Sequence, residues 1–292
     1  MIRGWLGCEI AVREHSRPAV FDQLRGAYDQ ALHALTKSGL KVAEGHAQLL
    51  SSLTDLLFGD DISATLAARL SQERINQQGV RSALAQGFVK NTGENFINVI
   101  VYALADLLSG QDNVLVDKGL PLPVRPFLTT KRSFVGADGG MRVIDIPIEC
   151  DIAIWHRDRP SEAIVVSAKT RLKEVFHIGT MWKLLYDMLG DDYCRSKWGL
   201  DGPTEKPDML YVFATADMVR PTGTRTQGPD VERDAVRNLI AMDASFFDYV
   251  FVSKAKIAHV ASTLDLGAGR EALFHELGCL VSLISQRFGI TL

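Results

Sequence analysis

The sequence predicts an α/β chain of the α+β kind: a mixed central β-sheet flanked by helices, with a helical N-terminal subdomain. Three observations predict it. From about Ala11 to Arg74 the apolar residues recur at helical spacing and no strand pattern interrupts them. Between Val114 and Thr170, four short runs rich in Ile, Val and Phe are bounded by turn residues. After Thr170, helical and strand patterns alternate to the end.

Composition sets the outer bounds. The chain has 292 residues, 47% hydrophobic and 23% charged, as in ordinary globular proteins. That length holds one large domain or two modest ones, and the pattern places a boundary near residue 85: 1–85 helical, 86–292 the mixed sheet. A net charge of −3 argues against a non-specific nucleic-acid coat but permits a local basic cleft. Cys8, Cys150, Cys194 and Cys279 are far apart and form no CxxC pair. They fit neither a zinc site nor a disulfide framework, so reduced cysteines and a cytoplasmic location are expected. The N-terminus lacks a secretory apolar region. The longest apolar run, Ile97 to Leu108, is broken by Asn98 and Asp106 and is too short for a membrane span.

Each element has its local reason. Phe21, Leu24, Ala27, Ala31, Leu32 and Leu35 share one helical face, which Lys37-Ser38-Gly39 ends. A second helix is expected from Val42 to Leu57 and a third from Ala64 to about Arg74. A strong helix follows from Asn95 to Leu108, with Thr92 as its cap and Glu94 where a carboxylate meets the positive end of the dipole. The strand runs are Val114–Lys118, Phe127–Val135, Val143–Trp155 and Ala163–Thr170, with Gly136 to Gly140 as a turn between two of them. A helix over Lys173–Leu189, a polar loop over 190–207 and a buried strand over Met209–Thr215 come next. The chain closes with a polar loop over 217–230, a helix over Val231–Phe246, a strand over Asp248–Val252 and a helix over Glu271–Phe288.

The chemistry concentrates in the third and fourth strand runs. Alternation of side chains puts Asp145, Glu149 and Asp151 on one face, and Ile146, Ile148, Ile152 and Ile154 on the other. On the next run, Ser167 and Lys169 share a face. A hairpin of the two brings carboxylates and a lysine together at a sheet end. Mg²⁺ needs only one or two carboxylates beside a substrate phosphate, and a neighbouring lysine can offset developing negative charge. Glu94 is a further acid for such a site, and Glu149 competes with it. The ordinary alternative is a half-exposed sheet face decorated with charge. Trp155 and Trp182 are expected as core aromatics.

Glu94 on a helix, Asp151 on a strand, Ser167-Ala168-Lys169 on the next, and Thr170-Arg171-Leu172-Lys173-Glu174 entering a helix resemble the PD-(D/E)xK nuclease superfamily. They are most similar to the type II restriction endonucleases that read CCGG-containing sites, where a small residue replaces the middle acid, as Ser167 would here. The resemblance spans roughly Gly93 to Leu189. It implies Mg²⁺-dependent hydrolysis of both strands of double-stranded DNA at a short palindromic G·C-rich site. The roles it implies are Asp151, Lys169 and Glu94 in catalysis, and Asp151, Glu94 and Glu149 around the metal. Arg171, Lys173 and Glu174 would read DNA, joined from the 217–230 loop by Arg220, Arg225 and Gln227. Arginine and lysine suit guanine, and glutamate suits cytosine N4. A homodimer on DNA and a cognate DNA methyltransferase are the implied partners, and no membrane is expected. Two alternatives keep the same residues: a repair or junction nuclease with this core, and a non-catalytic DNA-binding protein.

Overall fold

The computed structural model describes residues 18–53, 78–170, 172–201, 207–216, 242–253 and 274–292. Within them the chain is a mixed α/β fold whose central sheet lies between two layers of helix. Helices come first: α1 (Pro18–Lys37), α2 (Val42–Ser51) and α3 (Gln78–Leu107). Gly39, at φ 104°, turns the chain out of α1 in a conformation that L side chains rarely adopt. Glu44 accepts the Lys41 amide at 3.0 Å and satisfies a free donor at the start of α2.

The strands follow: β1 (Val114–Lys118), β2 (Thr129–Val135), β3 (Met141–Pro147), β4 (Ile152–His156) and β5 (Arg159–Lys169). After them come α4 (Leu172–Met188), α5 (Asp192–Trp198), β6 (Leu200–Asp201), β7 (Leu210–Thr215), β8 (Tyr249–Val252), β9 (Phe274–Glu276) and α6 (Cys279–Phe288). Six strands form the main sheet in the order β1-β4-β5-β7-β8-β9, and β3-β2-β6 form a smaller one. In the main sheet β1, β4 and β5 pair antiparallel, while β5, β7, β8 and β9 run parallel.

Both faces of the main sheet are covered, which is why its strands read as continuous apolar runs. On one face Ile152, Ile154, Ile164, Val166, Val212 and Ala214 pack with α1, α2, α3 and α6. Phe21, Tyr28, Leu50 and Leu53 belong to this same core, so the described N-terminal helices bury their apolar stripe against the sheet layer. The approach is closest where α2 meets the start of α6. A Cβ on Gly278 would fall 2.1 Å from the Ala47 carbonyl, so only glycine fits there. On the other face Ala153, Trp155, Val165, Tyr211 and Phe213 pack with Tyr186 of α4 and with Phe247.

Four expectations are corrected. The Val143–Trp155 run is not one strand: it breaks at 148–151, and its halves join different sheets. Asp145 therefore does not share a face with Glu149 and Asp151. Likewise Ile148 lies in the α4-side core, while Ile152 and Ile154 lie in the other. The physical reason is two burial demands on one run: β4 must be apolar on both faces, whereas β3 has neither face covered. Second, α3 spans Gln78–Leu107 and runs through Thr92 and Gly93 without a break. One interior glycine costs a helix about 1 kcal/mol, less than breaking one whose later half, Phe96 to Leu104, is anchored in the core. Third, the 190–207 region contains α5 and β6; the Asp191 carboxylate accepts the Cys194 amide at 2.7 Å and nucleates α5. Fourth, the final helix starts at Cys279, and Phe274–Glu276 is an edge strand. The Val231–Phe246 helix lies outside the described residues except for its last part.

A candidate active site at the carboxyl end of the parallel strands

β5 is the strand where the antiparallel and parallel halves of the sheet meet. Its last residue, Lys169, faces Thr215 at the end of β7. Ligand sites of α/β sheets favour this carboxyl edge. β4 runs the other way, Ile152 facing Val166, so Asp151 just before β4 is brought to the same edge. The Asp151 amide donates to the Val166 carbonyl at 3.0 Å, and the Asp151 carbonyl accepts from Gly119 at 2.8 Å. Alternation from Ala153 and from Val165 puts Asp151, Ser167 and Lys169 on the α4 side of the sheet.

The side chains meet there. Lys169 Nζ donates to Glu149 Oε1 at 2.5 Å and to Asp151 Oδ2 at 2.8 Å. Asp151 Oδ2 also accepts the Ala168 amide at 2.8 Å, which fixes its rotamer. The three side chains are 17% (Lys169), 19% (Asp151) and 25% (Glu149) exposed, sheltered yet reachable. Burial works against the Lys169 ammonium, but Asp151 and Glu149 outweigh it and hold its pKa above the ordinary value. At neutral pH Lys169 is thus a cation and a donor, not a base.

Two oxygens are left over. Glu149 Oε2 and Ser167 Oγ are both buried without a hydrogen-bond partner among the described residues. Such orphans are rare and call for a ligand or water. One ammonium against two carboxylates also leaves the site net negative, a charge that a divalent cation would reverse. Hard carboxylate oxygens are the donors Mg²⁺ prefers. The residues present therefore fit a divalent cation held by Asp151 and Glu149. No group of three or more metal-ligating side chains occurs among the described residues, so such an ion would draw its other ligands from water and substrate.

The remaining predicted residues fall elsewhere. Glu94 lies on α3 and stands 3.9 Å from Lys118. Lys118 faces Ile152 across β1 and β4, so Glu94 reaches the same edge of the sheet from the opposite helical layer. Lys173 and Glu174 stand in the first turn of α4, four and five residues after β5 ends. Arg171, Arg220, Arg225 and Gln227 lie outside the described residues. Asp145 is exposed on β3 opposite Lys131, away from Lys169. Trp155 is a core aromatic, as expected, and its Nε1 donates to Asp117 Oδ2 at 2.6 Å.

One participant escapes the sequence reading. Tyr211, fully buried in β7, donates its hydroxyl to the Glu149 carbonyl at 2.8 Å. The signal was available in principle, since a tyrosine in a buried strand needs a partner for its hydroxyl; which partner is a matter of tertiary structure. No protein-family model matches the chain, and no curated relative matches it. Among the described residues no helix is long and apolar enough to cross a membrane.

Proposed function

We propose that this protein is a divalent-metal-dependent nuclease, a type II restriction endonuclease that cuts both strands of double-stranded DNA at a short G·C-rich palindrome. The observation that carries the reading is the Lys169 ammonium held between Glu149 and Asp151 at the carboxyl edge of the sheet. Two acids just before β4 and a lysine at the end of β5 are the parts that phosphodiester hydrolysis uses, and Ser167-Ala168-Lys169 leading into α4 fits the restriction-enzyme pattern.

Asp151 and Glu149 would hold Mg²⁺, with Glu94 supporting the same edge from α3. Held by these carboxylates, a divalent ion would supply Lewis-acid chemistry, activation of a water and neutralisation of charge on the phosphodiester. Lys169 keeps its proton, orients the attacking water through its N–H groups and offsets the negative charge that grows on the phosphate oxygens. The Ala168 amide keeps Asp151 in place while this happens. Arg171, Lys173, Glu174, Arg220, Arg225 and Gln227 would read base edges, arginine and lysine at guanine and glutamate at cytosine. A palindrome mirrors a two-fold protein, so the working form is a homodimer on DNA with one site per strand, and a cognate methyltransferase protects the host's own sites.

The test is a digest. Purified protein is incubated with phage DNA and Mg²⁺, and the products are separated on a gel. Discrete fragments are expected. Damage confined to branched or lesion-bearing DNA would make the protein a repair nuclease instead, and intact DNA would overturn the nuclease reading.

A further inference from the structure

Glu149 sits in the break between β3 and β4, in neither sheet's ladder. Main-chain bonds hold its two flanks, from the Ile148 amide to the Leu128 carbonyl at 2.8 Å and from the Asp151 amide to the Val166 carbonyl at 3.0 Å. The Glu149 carbonyl between them is held by the side chain of Tyr211. Its register partner on β5 is Val165, so its ring crosses the β5 strand on the α4 side to reach the 148–151 segment. It is fixed at three points. Its amide donates to Asp248 Oδ2 at 2.7 Å. Its ring stacks between Tyr186 (6.1 Å, 25°) and Phe247 (6.0 Å, 24°). Its hydroxyl donates to the Glu149 carbonyl at 2.8 Å. Asp248 in turn lies 3.9 Å from Lys183, a buried lysine of α4 that also pairs with Asp187 at 2.8 Å.

We propose that Tyr211 is a positioning residue for Glu149: a rigid, stacked strut whose hydroxyl fixes the main chain from which the second carboxylate of the site is presented. The assignment rests on the metal site proposed above. Outer groups that orient metal ligands contribute about 10–100-fold to metal affinity, and this is the effect to look for.

The probe is Mn²⁺ alone, titrated into the full-length protein and followed by electron paramagnetic resonance. Tyr211→Phe keeps the stack and removes only the donor. It is expected to weaken Mn²⁺ binding about tenfold or more. Tyr186→Phe, which removes a hydroxyl bonded to the Pro207 and Met209 carbonyls in the same stack, is expected to bind as wild type does. Thermal unfolding should register a similar loss for both variants, so stability alone cannot produce the contrast. In a Glu149→Gln background, Tyr211→Phe should add no further loss. Wild-type-like binding by Tyr211→Phe, equal weakening by Tyr186→Phe, or full additivity with Glu149→Gln overturns the strut while leaving the metal site standing. A wild-type protein that takes up no Mn²⁺ overturns the metal site and the strut with it.

Discussion

Asp145 and Asp151 are six residues apart in one acidic, isoleucine-rich run, yet they belong to different surroundings. Asp151 stands at the mouth of a six-stranded sheet covered on both faces, held by a main-chain amide and by Lys169. Asp145 stands on a hairpin strand where Met141 to Asp145 are all exposed and where its neighbour across the strands is Lys131. The same chemistry is thus set to different uses by burial. A carboxylate in water gains little from a facing lysine. One sheltered among other charges is held in place and retains a strong field.

The largest expected contrast is in stability. Ile154 is fully buried in β4, and Ile144 is 45% exposed in β3. Ile154→Ala should cost about 2–5 kcal/mol by lost transfer energy and a cavity. Ile144→Ala should stay within about 1 kcal/mol, the range of half-exposed sites. Urea unfolding midpoints check this, and equal losses would mean that the hairpin is buried in the working protein. The two glutamates give a smaller contrast, read as the Mg²⁺ concentration that half-saturates cleavage. Glu149→Gln, which removes a proposed ligand, should raise it by at least the roughly 10–100-fold lost with an outer partner, and Glu94→Gln by less, because Glu94 is engaged near Lys118 rather than Lys169. The reverse order would hand the second-ligand role to Glu94.

The smallest contrast is electrostatic. Burial raises the Asp117 pKa, with the Trp155 N–H pulling the other way. A raised carboxyl pKa means that the folded state holds its proton longer. The stability tied to that proton is fully present below the ordinary value of 3.8 and is lost as pH rises through the folded value. Asp117→Asn keeps an acceptor for Trp155 and removes the charge. It should be slightly more stable than wild type at pH 7, and the gain should vanish below pH 3.8. A gain that persists in acid would assign it to packing instead.

Much of this was legible in the sequence. The β-branched runs predicted β1, β4, β5, β7 and β8 because strands covered on both faces are written as near-continuous apolar stretches. The Asp151 and Lys169 pairing followed from the hairpin expected across the charged stretch His156 to Glu162, although the turn itself is only Arg157-Asp158 and β5 already begins at Arg159. Where strand alternation failed was the break at 148–151. A period of two carries no mark of where a run leaves one sheet for another, and Pro147 alone does not announce it. The reach of Tyr211 over β5 to Glu149 was equally invisible, since it joins residues 62 apart through a strand that lies between them. Gly93 misled in the other direction, because burial of the later half of α3 outweighs the cost of one glycine.

The most direct test of the central claim is the Mg²⁺-dependent rate of DNA cleavage by Asp151→Ala, Lys169→Ala and Asp145→Ala, each first shown to be folded by circular dichroism. The site proposed here predicts losses of at least about 10²–10³-fold for the first two, the scale for removing a preorganised charge from a transition state, and a wild-type rate for the third. Robust cleavage by Asp151→Ala or Lys169→Ala, or an equal loss in Asp145→Ala, would contradict it.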